Sequence, residues 1–213
     1  MPDPTPDHLK DQLIAEAKAL GFDAVGVAAV EDDDQDRSRL FAWLARGYHA
    51  SMAWMARDPE RRADVRRSLP GARSVISLAI NYHSTCNHDD GCGSLKVSRY
   101  AWGEDYHRVV SGKLKHLRAR LDQLAPGSKS ITCVDTGPVM ERAWAERAGI
   151  GWIGRNGSLI TRDFGSWVFL AEIVTTAELP ADKPHADFCG SCGRCIEACP
   201  TEAFVEPYVI DAN

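Results

Sequence analysis

The chain has 213 residues, of which 44% are hydrophobic and 26% charged. This composition excludes an intrinsically disordered chain and predicts one full domain with a small appendage. The longest apolar stretches are far shorter than the span of about 20 residues that crosses a bilayer. The N-terminal string MPDPTPDHLK lacks the basic and then apolar pattern of a signal peptide. We therefore expect a cytoplasmic protein without a membrane segment.

The net charge of −5 hides an uneven distribution along the chain. Residues 57–120 carry 13 basic and 7 acidic side chains, whereas the flanking segments 1–56 and 121–213 are both acidic. A basic band on an acidic protein can steer a polyanion to one face. Charge alone favours the alternative, which is an ordinary solvated Arg-rich face.

Apolar periodicity and turn residues predict the elements in chain order. Helices are predicted at 8–20, between a cap at Asp7 and a stop at Gly21, and at 36–48, 57–67, 104–125 and 138–147. Strands are predicted at 22–30, 73–82, 130–135, 157–162 and 166–175, the last two around a turn at Gly165; the polar stretch 84–95 is predicted as a loop. Strands separated by helices predict an α/β or α+β layer with a mixed sheet over residues 1–180. Residues 181–213 form a separate small lobe in this prediction.

Four of the seven cysteines lie close together near the C-terminal end. Cys189, Cys192, Cys195 and Cys199, with a proline following, have the C-x2-C-x2-C-x3-C-P spacing of bacterial [4Fe–4S] ferredoxins. A structural zinc site needs ligand pairs separated by a longer loop, and a disulfide framework does not suit a chain of this length without a secretion signal. The fourth cysteine of such a run ligates the other cluster in two-cluster ferredoxins. Cys199 therefore either closes this cluster or belongs to a second one.

Asp135 ends a predicted strand in the string CVDTGPVMERAWAERAGIGWIGRNGSLI. A carboxylate at a strand end, before a Gly-Pro turn, faces a cleft; an apolar wall beside it would raise its pKa and make it a proton donor. The alternative is a cap for the helix at 138–147. The glycines of the GWIGRNGS segment, with Asn156 and Ser158, are a weak indication of a loop that approaches a large planar ligand.

The string VSRYAWGEDYHRVVSGKLK places Ser98, Tyr106 and His107 around a helix start. A single histidine at such a position is more often structural than catalytic. The sequence at Asp105 also fails the D-x-H-x-x-G signature of proteins whose histidine ligates the cobalt of cobalamin, because position 110 is valine.

Several strings together, in order and spacing, resemble epoxyqueuosine reductases. They are GYHASMAWMAR, LPGARSVISLAINY, VSRYAWGEDYH, VDTGPVMERAWAERAGIGWIGRNGSLI, GSWVFLAEI and CGSCGRCIEACPTEAFVEPYVIDAN. The resemblance spans nearly the whole chain. The combination of strings is specific, whereas the ferredoxin motif alone is shared by many unrelated proteins.

The resemblance implies an enzyme that reduces epoxyqueuosine to queuosine at the wobble position of tRNA, using cobalamin and two [4Fe–4S] clusters. It implies an α+β fold in which a nitroreductase-like cobalamin domain, related to that of reductive dehalogenases, precedes a ferredoxin-like module. The cobalamin would be base-off, without a protein histidine ligand. The implied partners are tRNA carrying epoxyqueuosine and an external electron donor such as flavodoxin or ferredoxin, for a monomeric protein. The implied proton donor is Asp135, the cluster ligands are the four cysteines, and the residues lining the corrin are Arg57, Ser98, Tyr106, His107, Asn156 and Ser158.

The chain departs from this resemblance at its end. Members of the family continue past the VIDA string with a second cysteine-rich motif and a helical repeat domain, whereas this sequence stops at Asn213. We expect either a truncated form of poor activity or a partner chain that supplies the second cysteine-rich motif. Cys86, Cys92 and Cys133 do not replace that motif, because they are predicted to be free thiols. The alternatives to the reductase are a dehalogenase-like enzyme for a small organohalide and an electron carrier without a catalytic pocket.

Overall fold

The computed structural model describes residues 5–32, 34–86 and 97–213. Most of the predicted loop at 84–95, with Cys92, lies outside these residues. The helices described are α1 (Pro6–Ala19), α2 (Asp34–Ala45), α3 (Pro59–Ala63), α4 (Tyr106–Leu124), α5 (Glu141–Arg147) and α6 (Arg194–Glu197). The strands described are β1 (Ala24–Ala29), β2 (Ser74–Asn81), β3 (Ser130–Cys133), β4 (Trp152–Ile153), β5 (Leu159–Ile160), β6 (Val168–Thr175), β7 (Phe204–Glu206) and β8 (Val209–Ile210).

Four of these strands form one sheet in the order β1-β2-β6-β3. Each neighbouring pair in it is antiparallel, so the α+β class is confirmed but the predicted mixed sheet is wrong. Ala29, at the end of β1, pairs with Ser74, at the start of β2. The helical segment between them therefore leaves and re-enters the sheet at the same end. A parallel pair would need a crossover to the opposite end.

Helices cover both faces of the sheet. On one face, α1 and α4 bury leucine-rich stripes against β2 and β6, including Leu13, Leu114, Leu117, Leu121, Ile76, Leu78 and Ile173. On the other face, α5 packs with the short 3-10 turn at Val65–Arg67, and the buried side chains there include Val65, Val75, Ala79, Trp144, Ala145 and Val174. The alternation of side chains along β2 and β6 supplies both cores.

The ends of the helices have identifiable causes. Thr5 caps α1 by accepting a backbone N–H of its first turn, so the predicted cap Asp7 is wrong. Gly21 ends α1 as predicted, with φ +83°. The Arg-rich segment predicted as one helix at 57–67 is interrupted at Asp64, whose side chain accepts a backbone N–H and starts the 3-10 turn. None of the described helices is both long and apolar enough to cross a membrane.

A small hairpin lies beside the main sheet. In it, β4 pairs with β5, whereas the sequence predicted two strands at 157–162 and 166–175 around Gly165. The bridge described near that turn joins Thr161 to Gly165 itself, which lies outside the second stretch. The reason for the difference is that the apolar β6 is a central strand, and its backbone groups are taken up by β2 and β3 on either side.

The segment after β6 runs back to contact β1 and α1. Asp182 accepts the backbone N–H of Val27 at 2.8 Å and pairs with the Lys10 ammonium at 2.7 Å. Further on, β7 and β8 form a hairpin, and the Ile210 carbonyl oxygen accepts a hydrogen bond from Trp43 Nε1 at 2.7 Å. The cysteine-bearing stretch is therefore attached at both of its ends to the β1–α2 side of the fold.

We expect Gly26→Ala to destabilise the protein by about 3 kcal/mol or more, because a Cβ at this position of β1 would stand 2.0 Å from the Ala148 carbonyl oxygen. The measurement is urea unfolding followed by circular dichroism. Gly112→Ala in α4 is the control, because its Cβ meets nothing within 4 Å; we expect it to stabilise by about 0.5–1 kcal/mol. Equal stability of the two variants would contradict the packing of β1 on α5.

Candidate active site

An aromatic stack lies at one end of the main sheet, where β2 ends, β6 begins and α4 starts. The rings of Tyr82 and Phe169 are 4.4 Å apart, and Phe169 stacks on Tyr106 at 4.1 Å with an interplanar angle of 2°. The Tyr106 ring in turn stacks on the His107 ring at 4.0 Å. The first two residues of α4 are therefore fixed against the end of the sheet.

Asp135 lies beside this stack, on the loop that follows β3. Its backbone adopts a left-handed conformation with φ +55°, which aspartate tolerates better than most residues. The Asp135 Oδ2 atom is 3.3 Å from Nε2 of His107, and Nδ1 of the same ring is 2.8 Å from Asp105 Oδ1. The hydrogen bond to Asp105 is the main reason why the pKa of His107 is raised, and Asp135 acts in the same direction. The protonated ring donates an N–H to each aspartate.

The surroundings of Asp135 differ from both sequence-based expectations. Its side chain is 59% exposed, so no apolar wall encloses it. It does not cap α5 either, because the residue at the N-cap is Met140. Its charge acts on Tyr106 in the stack: burial, followed by the charge of Asp135, raises the pKa of Tyr106 to about 12. The Tyr106 hydroxyl therefore keeps its proton and can donate it in a hydrogen bond.

Two carboxyl groups that sequence reasoning missed lie beneath the Asp135 loop. Glu141, the first residue of α5, accepts the backbone N–H of Asp135 with Oε1 at 2.5 Å. Glu172, within β6, is completely buried, and neither of its carboxyl oxygens has a donor among the described residues. Burial raises the pKa of Glu172 well above its ordinary value and that of Glu141 to about 7. Two adjoining carboxylates repel each other, whereas one shared proton turns the contact into a hydrogen bond.

One member of this pair, Glu172, carries a sequence signal. Glu172 is the acidic residue inside the otherwise apolar or uncharged run of β6, VFLAEIVT. Ionisable residues are rarely buried unless they are paired, so a glutamate at such a position points to a specific role. Glu141 carries no comparable signal, because an acidic residue in the first turn of a helix is ordinary.

The structure brings only some of the predicted corrin-lining residues together. Tyr106 and His107 adjoin Asp135, as described. Asn156 and Ser158 share the turn of the β4–β5 hairpin, where Asn156 Oδ1 accepts the Ser158 N–H at 3.1 Å. Arg57 and Ser98 are both exposed. The role of all six at a corrin stays a prediction.

The basic band is partly neutralised inside the protein. Arg66 pairs with Asp64 at 2.8 Å and with Asp32 at 2.6 Å. The Arg62 guanidinium lies over the Trp54 ring, and burial lowers its pKa. On α4, by contrast, an open groove that begins at His107 is lined by His107, Arg108, Ser111, Gly112 and Lys115. The α4 groove therefore offers Lys115 and also Arg108, which pairs with Glu104 at 3.3 Å.

The four clustered cysteines surround the single-turn helix α6. All four are free, Cys192 is exposed and the other three are half-buried. The Thr201 side chain is the main cause, with backbone N–H groups, of a lowered pKa of Cys199. A lowered pKa favours the thiolate, which is the form that binds iron. Outside the run, Cys86 is exposed and Cys133 is buried, and neither forms a disulfide; that both are free thiols in the loaded protein stays a prediction.

A single-ion site and an iron–sulfur cluster make different demands on these ligands. In the described ranges, no group of three or more His, Cys, Asp or Glu side chains is arranged to hold one metal ion. A [4Fe–4S] cluster instead takes a separate thiolate for each iron, so its ligands surround a cubane. Four free thiols on one tight loop fit that group in their chemistry.

Two family models match separate stretches of the chain. Residues 62–136 match the family model "Epoxyqueuosine reductase QueG, DUF1730", and residues 183–205 match a 4Fe-4S binding domain. The epoxyqueuosine reductase of Atelocyanobacterium thalassa is 43% identical over 207 residues, which cover 96% of this chain and 67% of that protein. The chain belongs to the epoxyqueuosine reductase family. The predicted resemblance is therefore confirmed.

Other members of the epoxyqueuosine reductase family are similar to the chain over most of its length. The protein of Synechocystis sp. is 52% identical over 191 residues, which cover 89% of this chain and 65% of that protein. The solved structure of epoxyqueuosine reductase from Streptococcus thermophilus matches with a TM-score of 0.85 and 30% identity, over 95% of this chain and 55% of that one. The chain thus spans a little under two thirds of the Synechocystis relative and about half of the crystallised one.

A likeness to reductive dehalogenases concerns the fold alone. A catabolic reductive dehalogenase matches with a TM-score of 0.57 at 16% identity, over 99% of this chain and 24% of that chain. The predicted likeness of the two folds is confirmed by this match. The much higher identity to epoxyqueuosine reductases favours the reductase over the dehalogenase alternative.

We expect Glu172→Gln to stabilise the protein increasingly as the pH rises from 5 to 8. The folded-state pKa of Glu172 lies above its ordinary value; the unfolded chain therefore loses this proton first, and the wild type loses stability as the pH rises. An uncharged amide of the same shape removes that dependence. The measurement is the thermal midpoint at several pH values, with Glu178→Gln at an exposed position as the control. A wild-type advantage that grows with pH would contradict a protonated Glu172.

Proposed function

We propose that this chain carries the catalytic part of an epoxyqueuosine reductase, which converts epoxyqueuosine in tRNA to queuosine. The observation that carries the proposal is the contact between Asp135 and His107 at the open end of the sheet, in a chain of this family. The conversion of an epoxide to an alkene consumes two electrons and two protons and releases water. The site must therefore supply a proton beside an electron source.

The substrate class is supported by a solved relative. The structure of epoxyqueuosine reductase with an epoxyqueuosine-modified tRNA-Tyr stem loop matches this chain with a TM-score of 0.84 and 33% identity, over 95% of this chain and 54% of that one. We propose the same kind of RNA for this chain. Lys115 and Arg118 are exposed on α4, and cations in such a position bind phosphates without reading sequence.

The corrin of a base-off cobalamin is proposed to lie over the aromatic end of the sheet. The residues there fit a large planar ligand, because Tyr100, Trp102 and Trp167 are substantially exposed next to the stacked rings. When bound, cobalamin supplies a reducible cobalt centre that passes electrons to the epoxide. Arg57, Ser98, Tyr106, His107, Asn156 and Ser158 are the residues proposed to hold it.

We propose Asp135 as the proton donor to the departing epoxide oxygen. His107 Nε2 can pass its proton to Asp135, and the raised pKa of the ring favours the charged form that carries this proton. The exposed carboxyl group can reach a substrate that approaches from solvent. A solved structure of the Bacillus subtilis enzyme has its catalytic aspartate loop swung out of the active site. The strained φ of Asp135 is consistent with a loop that has two positions.

Residues 181–213 are proposed as the electron-transfer unit and residues 1–180 as the cobalamin and substrate unit. Cys189, Cys192, Cys195 and Cys199 would hold a [4Fe–4S] cluster, which supplies single electrons when bound. An external donor such as flavodoxin or ferredoxin would reduce it. We propose a monomer that acts in the cytoplasm, where its tRNA substrate is found.

We expect the anaerobically reconstituted chain, loaded with cobalamin and reduced, to remove one oxygen atom from an epoxyqueuosine-bearing anticodon stem loop. Mass spectrometry of the digested nucleosides measures this loss, and the electron paramagnetic resonance spectrum of cob(II)alamin reports base-off binding. Asp135→Asn should lower turnover about 100-fold or more, whereas Asp163→Asn, at an exposed turn, should leave it unchanged. The proposed activity is wrong if no oxygen is lost although base-off cobalamin is bound. Full turnover of Asp135→Asn contradicts only the proton-donor role.

We expect Cys192→Ala and Cys195→Ala to lose most of the iron and acid-labile sulfide that the reconstituted wild type retains, because each removes a thiolate ligand. Cys86→Ala is the control, since its exposed thiol lies outside the motif. Cys199→Ala distinguishes the two roles left open for that residue: loss of iron assigns it to this cluster. Iron content unaffected by both Cys192→Ala and Cys195→Ala would contradict the ligand set.

A further inference from the structure

Two hydrogen bonds restrain the backbone of Asp135: the Thr136 N–H donates to the Val134 carbonyl oxygen within the loop, and the Asp135 N–H donates to α5. Its φ of +55° is unfavourable for a residue with a Cβ. The residue follows the end of β3 by two positions and has a largely exposed side chain. The bond from its N–H to Glu141 Oε1, at 2.5 Å, ties this backbone to α5. A hydrogen bond to a carboxylate is stronger than one to a neutral acceptor.

Glu141 is itself held in a fixed position. It is the first residue of α5, and the next turn of this helix buries Ala143, Trp144 and Ala145 against the sheet. Moving the Glu141 backbone would therefore require moving a packed helix. A carboxylate on such a rigid element can hold a mobile loop in one conformation.

Glu172, in the sheet, is the buried carboxyl group next to Glu141. In the sheet it is paired with Ser77 on β2 and with Cys133 on β3. Within the described ranges, no donor reaches either carboxyl oxygen of Glu172, and the Ser77 hydroxyl is without a partner. A completely buried carboxylate without a donor is unfavourable, so Glu172 keeps its proton. Among the described residues, the Glu141 carboxyl group is the one that acts on Glu172 through both charge and a side-chain hydrogen bond, so it can accept this O–H.

We propose that Glu141 is the positioning residue of the Asp135 loop, and that protonated Glu172 donates to Glu141 while Glu141 accepts the Asp135 N–H. The chain of contacts runs from the buried centre of β6 to the exposed carboxyl group at His107. Its catalytic consequence rests on the proposed reductase function. The contacts themselves do not, and they can be tested without turnover.

The anchor is sensitive to pH because of the charges that face Glu141. Burial and the charge of Asp135 raise its pKa, whereas the Asp135 N–H and Arg142 lower it, with a balance at about 7. The other groups around it are Glu172, Tyr106, Cys133 and Arg62. As the pH rises through about 7, Glu141 loses its proton and becomes a stronger acceptor. The Asp135 loop should become more ordered over the same range.

The first test uses nuclear magnetic resonance to follow the amide proton resonance of Asp135 from pH 5.5 to 8.5, in the full chain without cofactors. We expect a downfield shift as Glu141 ionises, with a midpoint near 7, and no such shift in Glu141→Gln. The matched control is Glu146→Gln on the same helix, because Glu146 Oε1 accepts the Ile153 N–H at 2.8 Å far from the Asp135 loop. An Asp135 amide that does not titrate in the wild type overturns the proposal without any variant. A titration that persists in Glu141→Gln assigns it to His107 and also overturns it.

The second test measures turnover of the stem loop by the cofactor-loaded enzyme. We expect Glu141→Ala to lower kcat about tenfold or more with little change in KM. Glu141→Gln should retain part of kcat, because the amide oxygen still accepts, but should lose the rise of kcat between pH 6 and 8. Glu146→Gln should behave as the wild type does. A wild-type pH profile in Glu141→Gln would overturn the catalytic role, and an inactive wild type would leave the amide test to decide the contacts.

Discussion

The pairing of β2 with β6 is the contact on which the remaining architecture depends. Eight consecutive residue pairs join two strands that are far apart in sequence, and β1 and β3 each add to one side of this pair. Closing so long a loop is entropically unfavourable, and the apolar faces that both helix layers bury offset it. Because β2 ends where β6 begins, Tyr82, Phe169 and the start of α4 meet at one place. The candidate active site is a direct result of this register.

The same register places a carboxyl group at a buried position where an apolar side chain would make the folded protein more stable. Glu172 lies between Ser77 and Cys133, on the face that α5 covers. Buried polar groups that lack partners lower stability, and the alternating pattern of β6 would accept valine or leucine here. The position is best explained by its contact with Glu141, since this is the point at which the core meets the Asp135 loop. The protein therefore has a lower folding stability at a position next to the loop of Asp135, the residue proposed to transfer a proton.

Sequence patterns predicted the parts that depend on local periodicity and motif spacing. The helices at 8–20 and 104–125 and the strand at 73–82 correspond closely to α1, α4 and β2. Strand direction was wrong, because periodicity does not tell at which end of a sheet a connection returns. Within the site, motif order led to Asp135, but its exposure and its contact with Glu141 follow from tertiary packing. Glu172 was detectable in principle, whereas its partner on α5 was not.

The charges on α4 lie next to the candidate active site. They belong to the basic band, which suggested a polyanionic ligand. The Arg-rich segment around α3 loses much of its potential to internal pairs, such as Arg66 with Asp64 and Asp32. The α4 helix keeps Lys115 exposed on the groove that begins at His107. The same helix therefore carries both the ring that contacts Asp135 and the exposed Lys115. In the RNA complex proposed for this chain, a phosphate held along this groove would lie on the helix whose ring contacts Asp135, so α4 would couple RNA binding to positioning.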